Sequence, residues 1–434
     1  MKVSIIGTGY VGLTTALCFA DSGHQVLCID KDLSKINSLK NSTPTIYEDS
    51  LQELLNKTLK AKTIEFSSDL EYGIKNSEVI ILAVGTPQND QTGEADLSYI
   101  YSASIESAKF VKEYKIFITK STVPVGTNFE IKKIIESNSG IKIDVVSNPE
   151  FMREGFAIKD FMEPDRIVVG IENENSHKIM RELYSPWIKK NYPILFTDIL
   201  TAELIKYASN AFLMTKVAFI NEIESLATKI GANIKDLTSG IGLDNRIGKA
   251  FLNPGPGVGG SCFPKDSMAL KFIAEKNHEN LSILNQVIES NFLRFKKMAK
   301  KINDKIKNDL PDKSSKEIAI LGLAFKAGTD DVRMSPAIEI IKYLLADNFK
   351  IYAFALSSTA QSNISVQFTN GAGTSPTEFW RYALQAPSQG VMGANLAVSP
   401  PGYIFATGTN VTLALVIDSA SLVHYSVSYI KESA

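Results

Sequence analysis

The sequence GTGYVG at residues 7–12 constrains the fold more than any other stretch of the chain. It follows a β-branched run at residues 2–6, which predicts a strand, and it precedes residues 13–22, which predict a helix. A second predicted strand at residues 26–29 ends at Asp30. Strand, glycine-rich turn, helix and a strand that ends in an acidic residue form a dinucleotide-binding fingerprint. The pattern therefore predicts an α/β fold that begins with a Rossmann-type doubly wound sheet.

A physical reason explains each residue type in and after this turn. We expect Gly7 to make the tight turn, Gly9 to admit a pyrophosphate, and Gly12 to let the helix pack on the strand. The helix N-terminus would supply N–H groups to the phosphates. Asp30 would bind the ribose hydroxyls and repel a 2′-phosphate, which favours NAD over NADP, although a neighbouring lysine weakens that preference. The expected NAD-binding residues here are Gly7, Gly9, Tyr10, Val11, Gly12, Asp30 and Lys31.

Further predicted strands at residues 79–84, 116–120 and 145–147 continue the βα alternation. Ligands of an open parallel sheet bind at the carboxyl ends of its strands. Thr122, Glu150 and Glu154 follow such ends, so we expect them where a substrate and the nicotinamide meet. The alternative for Thr122 and Glu154 is a structural role as a helix cap and a first-turn carboxylate.

One long amphipathic helix is predicted from Asp198 to about Gly231, with a cap from Asp198 or the preceding threonine. A helix of this length usually connects domains or forms a subunit interface. Lys206 and Asn210 are four residues apart and therefore share one face. From spacing alone, solvated side chains remain an alternative for both.

The sequence GVGGSCFPKD at residues 257–266 places a thiol after a glycine-rich run. Glycines let the backbone come close to a ligand, and an ammonium near Cys262, such as Lys265, would favour the thiolate. The alternative is a buried, inert cysteine beside an ordinary turn. Cys18 and Cys28 lie in the first predicted helix and the second predicted strand, so both are expected in the core.

Composition excludes several classes of function. The chain of 434 residues has 46 basic and 47 acidic residues, so no nucleic acid or anionic membrane partner is indicated. Three cysteines form no disulfide framework and favour a reducing compartment. We find no signal-peptide pattern and no apolar run long enough to span a membrane. These features predict a cytoplasmic protein.

The last part of the chain changes character. Helices are predicted at residues 268–276 and 281–306, followed by a polar linker at 309–316. A strand at 317–321, a helix at 336–345 and a strand at 349–354 predict the start of a second α/β domain. Residues 353–434 then contain only five charged side chains and alternating apolar runs among small polar residues. This pattern predicts β structure that does not extend the preceding parallel sheet but has to cover its edge.

Together these stretches resemble the UDP-glucose/GDP-mannose dehydrogenase family, over about residues 1–352. The matching segments are residues 7–12 with Asp30, residues 85–87, 121–124, 148–155, 206–212, 257–266 and 325–333. The resemblance implies an NAD-binding domain at 1–196, a central helical domain at 197–308, a truncated sugar-nucleotide-binding domain at 309–354 and an atypical β-rich tail at 355–434. It also implies a homodimer formed through the central helix.

The resemblance further implies a chemistry, namely NAD-dependent four-electron oxidation of the C6 alcohol of UDP-glucose to UDP-glucuronate. Cys262 would bind the aldehyde as a thiohemiacetal and then as a thioester. Lys206 and Asp266 would activate water and stabilise developing negative charge at oxygen, and Asn210 would donate a further hydrogen bond to that oxygen. Glu150 would direct the hydrolytic water and Thr122 would order it.

The resemblance also implies two sets of binding residues and no metal. Further cofactor-binding residues would be Thr86, Thr122, Glu154, Lys265 and Arg333. Substrate-binding residues would be Glu150, Phe151, Glu154, Lys206, Asn210, Arg246, Phe251, Gly259, Cys262, Phe325 and Lys326.

Three other interpretations remain open at this stage. The substrate could be another sugar nucleotide, of the GDP-mannose or UDP-N-acetylhexosamine type. A two-electron β-hydroxyacid dehydrogenase shares the NAD domain and helical middle, but it needs no thiol at Cys262. A catalytically silent NAD-binding protein would result if the tail has replaced an essential part of the last domain.

Overall fold

A computed structural model describes residues 1–89, 93–309 and 317–346 and the strands at 350–358, 364–369, 378–384, 414–417 and 423–429. The chain divides into two compact units. The first unit comprises Met1–Thr215 and Cys262–Ile288, and the second comprises Lys216–Ser261 and Glu289–Ala434. The chain thus passes from the first unit to the second, returns, and leaves again.

An eight-stranded sheet forms the centre of the first unit. Its strands are β1 (Lys2–Ile6), β2 (Gln25–Ile29), β3 (Ile64–Ser67), β4 (Val79–Leu82), β5 (Ile116–Thr119), β6 (Asp144–Ser147), β7 (Ile167–Gly170) and β8 (Ile194–Thr197). Their order is β3-β2-β1-β4-β5-β6-β7-β8. The first six strands are parallel in the order of a dinucleotide-binding sheet. The expected Rossmann-type sheet is confirmed.

The last two strands of this sheet depart from the pattern. β7 pairs with β6 in the antiparallel sense, through Ser147 and Gly170, and β8 runs parallel to β7. A Cβ on Gly170 would lie 2.7 Å from the Cβ of Ala202, so a larger residue there would collide with the helix that follows β8.

Helices cover both faces of the sheet. They are α1 (Tyr10–Asp21), α2 (Leu33–Lys40), α3 (Leu51–Ala61), α4 (Leu70–Lys75), α5 (Ser98–Ala108), α6 (Thr127–Ser139), α7 (Ala157–Met162), α8 (Glu174–Leu183) and α9 (Ser185–Lys189). On one face, the ring of Phe19 packs edge-on against Phe161, Tyr184 and Trp187, with centroid distances of 5.2, 5.6 and 5.8 Å. Cys18 and Cys28 are fully buried in the same core cluster, as expected.

The long central helix is confirmed as α10 (Ile199–Ile230). The Asp198 carboxylate accepts the backbone N–H of Thr201 at 2.9 Å, and Gly231 ends the helix with a φ of 77°. The remaining helices are α11 (Ile234–Gly242), α12 (Phe263–Lys276), α13 (Ser282–Asp309) and α14 (Pro336–Ala346). No helix within the described residues is both long and apolar enough to cross a bilayer.

The second unit contains the expected start of another α/β fold. β9 (Glu317–Leu321) and β10 (Lys350–Ser358) pair in parallel, and α14 lies between them in the chain. Seven residues of the predicted linker, 310–316, lie outside the described residues.

Four tail strands follow, namely β11 (Ile364–Thr369), β12 (Glu378–Leu384), β13 (Ala414–Ile417) and β14 (Val423–Tyr429). β14 pairs with β10 in the antiparallel sense, and the other three form a separate sheet in the order β12-β11-β13. The expectation that the tail does not extend the β9–β10 sheet is therefore wrong. The exposed edge of a two-stranded sheet offers unpaired backbone groups, and a tail strand takes them.

Candidate active site

The turn between β1 and α1 has the geometry that a dinucleotide requires. Gly7 adopts a φ of 102°, and its N–H donates to the carbonyl oxygen of Ile29 at 2.8 Å. A Cβ on Gly12 would lie 1.9 Å from the carbonyl oxygen of Gly7, so glycine is required there. No described atom lies within 4 Å of a Cβ built on Gly9. The residues present therefore fit NAD, since this backbone is open at a helix N-terminus.

Asp30 is held at the mouth of this turn. Its Oδ2 accepts the backbone N–H of Thr8 at 2.8 Å and the Thr8 hydroxyl at 2.6 Å. Its Oδ1 accepts the N–H of Asp32 at 3.0 Å. Burial alone would raise the pKa of Asp30, but these hydrogen bonds hold the pKa below its ordinary value. Asp30 is therefore ionised at neutral pH, as recognition of ribose hydroxyls requires, and Lys31 beside it is exposed.

The carboxyl ends of β4 and β5 meet close to this turn. The Thr86 hydroxyl donates to the carbonyl oxygen of Thr122 at 2.9 Å, which ties the two loops together. Thr122 is half-buried, as are Tyr10 and Val11 at the start of α1. The structure thus brings the glycine turn, Asp30, Thr86 and Thr122 to one edge of the sheet.

A buried ion pair joins Lys206 of α10 to Glu150 after β6. Lys206 Nζ lies 3.0 Å from Glu150 Oε1, with 4% and 7% of their side chains exposed. Glu150 Oε2 also accepts the N–H of Met152 at 2.6 Å. Burial would raise the pKa of Glu150 and lower the pKa of Lys206. The opposite charges prevail, so the carboxyl pKa lies below and the ammonium pKa above its ordinary value. Both groups are charged at neutral pH.

The ring of Phe151 contacts two cations, one of which is Lys206 of this pair. Its ring centroid lies 5.3 Å from Lys206 Nζ and 3.6 Å from the guanidinium carbon of Arg166. Burial lowers the pKa of Arg166. The electron-rich face of the ring attracts each of these cations.

A second buried pair lies one helical turn farther along α10. The amide nitrogen of Asn210 donates to Asp266 Oδ2 at 2.6 Å, and Lys265 Nζ lies 2.8 Å from Asp266 Oδ1. Asp266 is 1% exposed. Lys206 and Asn210 are both buried, so the alternative of solvated side chains is wrong for them.

Cys262 is half-buried and immediately precedes α12. Its carbonyl oxygen accepts the N–H of Asp266 at 2.8 Å, which fixes the carboxylate one turn after the thiol. Burial lowers the pKa of Lys206, but Glu150 raises it most and the Asp266 carboxylate raises it further. Cys262 is therefore not fully buried, in contrast to Cys18 and Cys28.

The arrangement combines an accessible thiol with an ammonium, an amide donor and two buried carboxylates. Such a set can add sulfur to a carbonyl carbon, stabilise negative charge on the carbonyl oxygen and direct water to the resulting thioester. Within the described residues, no three His, Cys, Asp or Glu side chains are grouped as a metal site would need.

Three domain models of one protein family match successive segments of this chain. Models of the UDP-glucose/GDP-mannose dehydrogenase family match as NAD binding domain at residues 1–188, central domain at 200–292 and UDP binding domain at 319–368. The chain belongs to the UDP-glucose/GDP-mannose dehydrogenase family. It is accordingly an NAD-dependent enzyme of the nucleotide-sugar dehydrogenase family. The match to the UDP binding domain extends to residue 368, past residue 352, where the resemblance was expected to end.

Individual relatives agree with the family. A UDP-glucose 6-dehydrogenase of Rickettsia felis is 47% identical over 354 residues, which is 82% of this chain and 78% of the relative. One of Rhizobium meliloti is 46% identical over 347 residues, or 79% of each chain. Among solved structures, a UDP-glucose dehydrogenase from Pyrobaculum islandicum is 35% identical, with a TM-score of 0.75 and 81% coverage of both chains.

Other residues expected from the family resemblance lie in the second unit. Arg246 forms an exposed ion pair with Asp244 at 2.7 Å, and Arg333 pairs with Asp331 at 2.6 Å. Lys326 Nζ lies 5.5 Å from the ring centroid of Phe325. Phe251 and Gly259 also belong to this unit. Glu154, in contrast, lies in the first unit with Glu150 and is half-buried.

The glycine run of this dehydrogenase packs tightly within the second unit. A Cβ on Gly257 would lie 2.3 Å from the Phe295 ring, and one on Gly260 would lie 2.7 Å from the Phe325 ring. A Cβ on Gly259 would lie 2.2 Å from the carbonyl oxygen of Met334. These positions therefore require glycine, because a side chain would prevent the close packing of the segment that leads to Cys262.

Two residues that the sequence analysis missed help to build the dehydrogenase site. Glu203 of α10 accepts the N–H groups of Gly126 and Asn128 at 2.6 and 3.1 Å, which anchors the Thr122 loop to the central helix. Lys120 is buried at the end of β5 and donates to Asn148 at 3.1 Å. A lysine directly after the strand Ile116–Thr119 was the signal available in the sequence.

Proposed function

We propose that this protein oxidises the C6 alcohol of UDP-glucose to the carboxylate of UDP-glucuronate in two successive two-electron steps. The observation that carries the proposal is the grouping of the Cys262 segment with two buried pairs, Lys206–Glu150 and Asn210–Asp266. An alcohol dehydrogenase that stops at the aldehyde needs no thiol at this position. Relatives named UDP-glucose 6-dehydrogenase at 46–47% identity support the choice of sugar nucleotide.

NAD held at the glycine turn and Asp30 would accept one hydride in each oxidation step. In the first step, a water molecule accepts the proton of the alcohol with the help of a carboxylate. We assign this role to Asp266, the buried carboxylate nearest to Cys262 in the sequence. The Lys206 ammonium has three N–H bonds, of which the ion pair with Glu150 uses one, so it can also donate to the substrate oxygen. Asn210 adds an amide donor on the same helix face.

Cys262 makes the second oxidation possible. The thiol gives up its proton, its sulfur bonds to the aldehyde carbon, and the carbonyl oxygen takes a proton. The resulting thiohemiacetal again carries a C–H bond, and loss of hydride from that carbon to NAD, together with release of the hydroxyl proton, would complete the second oxidation. The product is a thioester. Water directed by Glu150 and ordered by Thr122 then attacks the carbonyl carbon, the C–S bond breaks, and the carboxylate and the thiol are released.

The same proposal includes the organisation of the chain. We assign an NAD-binding domain to residues 1–196, a central helical domain to 197–308, a shortened nucleotide-binding domain to 309–354 and an atypical tail to 355–434. We also propose a homodimer through the central helix. Large exposed apolar side chains recur on one side of α10, at Leu200, Leu204, Phe212, Phe219, Leu226 and Ile230.

Counting the NADH formed per UDP-glucose consumed tests the proposal. We expect two equivalents, with UDP-glucuronate as the product. One equivalent with release of the aldehyde would indicate a two-electron enzyme, and none would indicate a silent NAD-binding protein. Cys262→Ser should lose acid formation by at least about a hundredfold, because a serine hydroxyl is a poor nucleophile at neutral pH. Retained NADH binding would show that the variant is folded.

A further inference from the structure

Glu48 is a buried carboxylate that ties together three segments far apart in the sequence. Its Oε2 accepts the N–H of Gly155 at 2.7 Å and the phenol of Tyr10, and its Oε1 accepts the N–H of Ala157 at 2.7 Å. The Gly155 N–H also donates to the Tyr10 hydroxyl oxygen, at 3.0 Å. These four residues, Glu48, Tyr10, Gly155 and Ala157, are called the Glu48 network below.

The two ends of the Glu48 network belong to different binding elements. Tyr10 is the first residue of α1 and lies inside the glycine turn that fits NAD. Gly155 directly follows Glu154 and comes five residues after Glu150, in the segment that carries the expected substrate-binding carboxylates. One carboxylate therefore connects the cofactor turn to the substrate segment.

The Glu48 network is costly to disturb. Glu48 is only 7% exposed, and a buried carboxylate is tolerated where hydrogen bonds replace its lost hydration. Burial and the neighbouring Glu48 raise the pKa of Tyr10, so the phenol keeps its proton and donates it to the carboxylate. Loss of the carboxylate charge would weaken all three hydrogen bonds to Glu48 at once.

We propose that Glu48 is a positioning residue that couples the binding of the dinucleotide to the binding of the sugar nucleotide, an inference that rests on the proposed function. A ligand on the glycine turn orders Tyr10, and a ligand on the substrate segment orders Gly155. Both ligands thereby stabilise the same hydrogen-bonded unit. Each ligand then raises the affinity for the other by the same factor, because the coupling free energy is reciprocal.

Fluorescence titration with NADH, with and without saturating UDP-glucose, measures this coupling. The pair cannot turn over, because NADH is already reduced. We expect UDP-glucose to tighten NADH binding by about fivefold or more in the wild-type protein, within the usual range of coupling between two sites. In Glu48→Gln we expect the effect to fall below about twofold, while NADH alone still binds.

Glu65→Gln is the matched control. The Tyr72 hydroxyl donates to Glu65 Oε2 at 3.3 Å on the exposed surface of the same unit, so this variant removes a similar Tyr–Glu contact outside the network. Its coupling should equal that of the wild type. If circular dichroism shows that Glu48→Gln is unfolded, Tyr10→Phe takes its place, since it removes only the phenol hydroxyl. That variant should at least halve the coupling factor.

The outcomes separate the two proposals. Independent binding of NADH and UDP-glucose by the wild type, or full coupling in folded Glu48→Gln, overturns the role of Glu48 and leaves the proposed function standing. A wild-type protein that binds NADH but not UDP-glucose overturns the proposed function and the coupling with it.

Discussion

The two buried polar pairs of the site differ in how they respond to a change in charge. Lys206 and Glu150 are both ionised, and each compensates the other for lost hydration. Asn210 is neutral, and its amide donates a hydrogen bond to the Asp266 carboxylate. Removal of charge from the first pair should therefore change the chemistry of the site more than its geometry.

Glu150→Gln tests this at the hydrolytic step. The amide keeps the size of the side chain and an acceptor for the Met152 N–H, but it cannot accept a proton from water. We expect the thioester on Cys262 to accumulate and to appear by intact-mass spectrometry after mixing with NAD and UDP-glucose. Cys262→Ser, treated identically, should carry no adduct. Slow turnover of Glu150→Gln without any adduct would mean that Glu150 acts before the thioester forms.

The buried side chain of Lys120 should make the free energy of unfolding depend on pH. Burial lowers the pKa of Lys120 to about 8, whereas a lysine in an unfolded chain titrates near 10.4. Between these values the unfolded chain binds more protons than the folded protein, so the free energy of unfolding rises with pH. Charged Glu150 and Lys206, with Cys18 and Tyr184, are the titratable groups around this ammonium.

Lys120→Met should remove this dependence. We expect the stability of the variant, relative to wild type, to fall by roughly 2 kcal/mol between pH 7 and pH 10, as measured by urea unfolding. Lys115→Met is the control, because it removes another buried lysine at the opposite end of β5. A difference between Lys120→Met and wild type that stays constant with pH would contradict the prediction.

At the scale of elements, the exposed apolar face of α10 predicts a homodimer. Phe219 is 53% exposed on this helix, and a charge placed in an apolar interface is strongly unfavourable. Phe219→Asp should therefore convert the proposed dimer to a monomer in size-exclusion chromatography with light scattering. Leu33→Asp, which places the same charge at a 61% exposed apolar position on α2, should leave the mass unchanged. A monomeric wild-type protein would show that the interface is misassigned.

Local patterns predicted some elements well and others poorly. The turn of residues 7–12 and the ends of α10 were predictable, because glycine geometry and capping act within a few residues. The reversal at β7 was not, since strand direction depends on which edge the chain reaches after α7. α12 begins at Phe263 rather than at residue 268, because Pro264 starts a helix as readily as it stiffens a loop.

The site was predictable to a similar extent. Cys262 stood out by its motif, whereas helical spacing put Lys206 and Asn210 on one face but left solvated side chains as an alternative, and only the family resemblance assigned them to the site. Glu48 could not, because its hydrogen-bond partner Gly155 is 107 residues away and no local rule joins them. The packing role of Gly259 likewise depends on the backbone of Met334, which only the folded chain brings near.

At the scale of the whole molecule, the tail is the least family-like part, yet β14 completes a three-stranded sheet with β10 and β9. Deletion of residues 359–434 removes β14 and leaves β10 as an unpaired edge. We expect aggregation by light scattering and at least about tenfold weaker UDP-glucose binding, with NADH binding retained in the first unit. Deletion of residues 430–434 alone, which follow β14, is the control. Unchanged UDP-glucose binding after the long deletion would show that the tail has no part in the site.

The path of the chain between its two units also sets the order in which a growing polypeptide can become an enzyme. Residues 1–215 supply the eight-stranded sheet with Glu150, Lys206 and Asn210, but Cys262 and Asp266 belong to a later segment of that same unit. On the ribosome, the sheet can form before the thiol has been synthesised. Until residue 288 emerges, the returning segment of the first unit is incomplete, and a nascent chain that stalls before residue 262 holds the cofactor turn without the Cys262 sulfur.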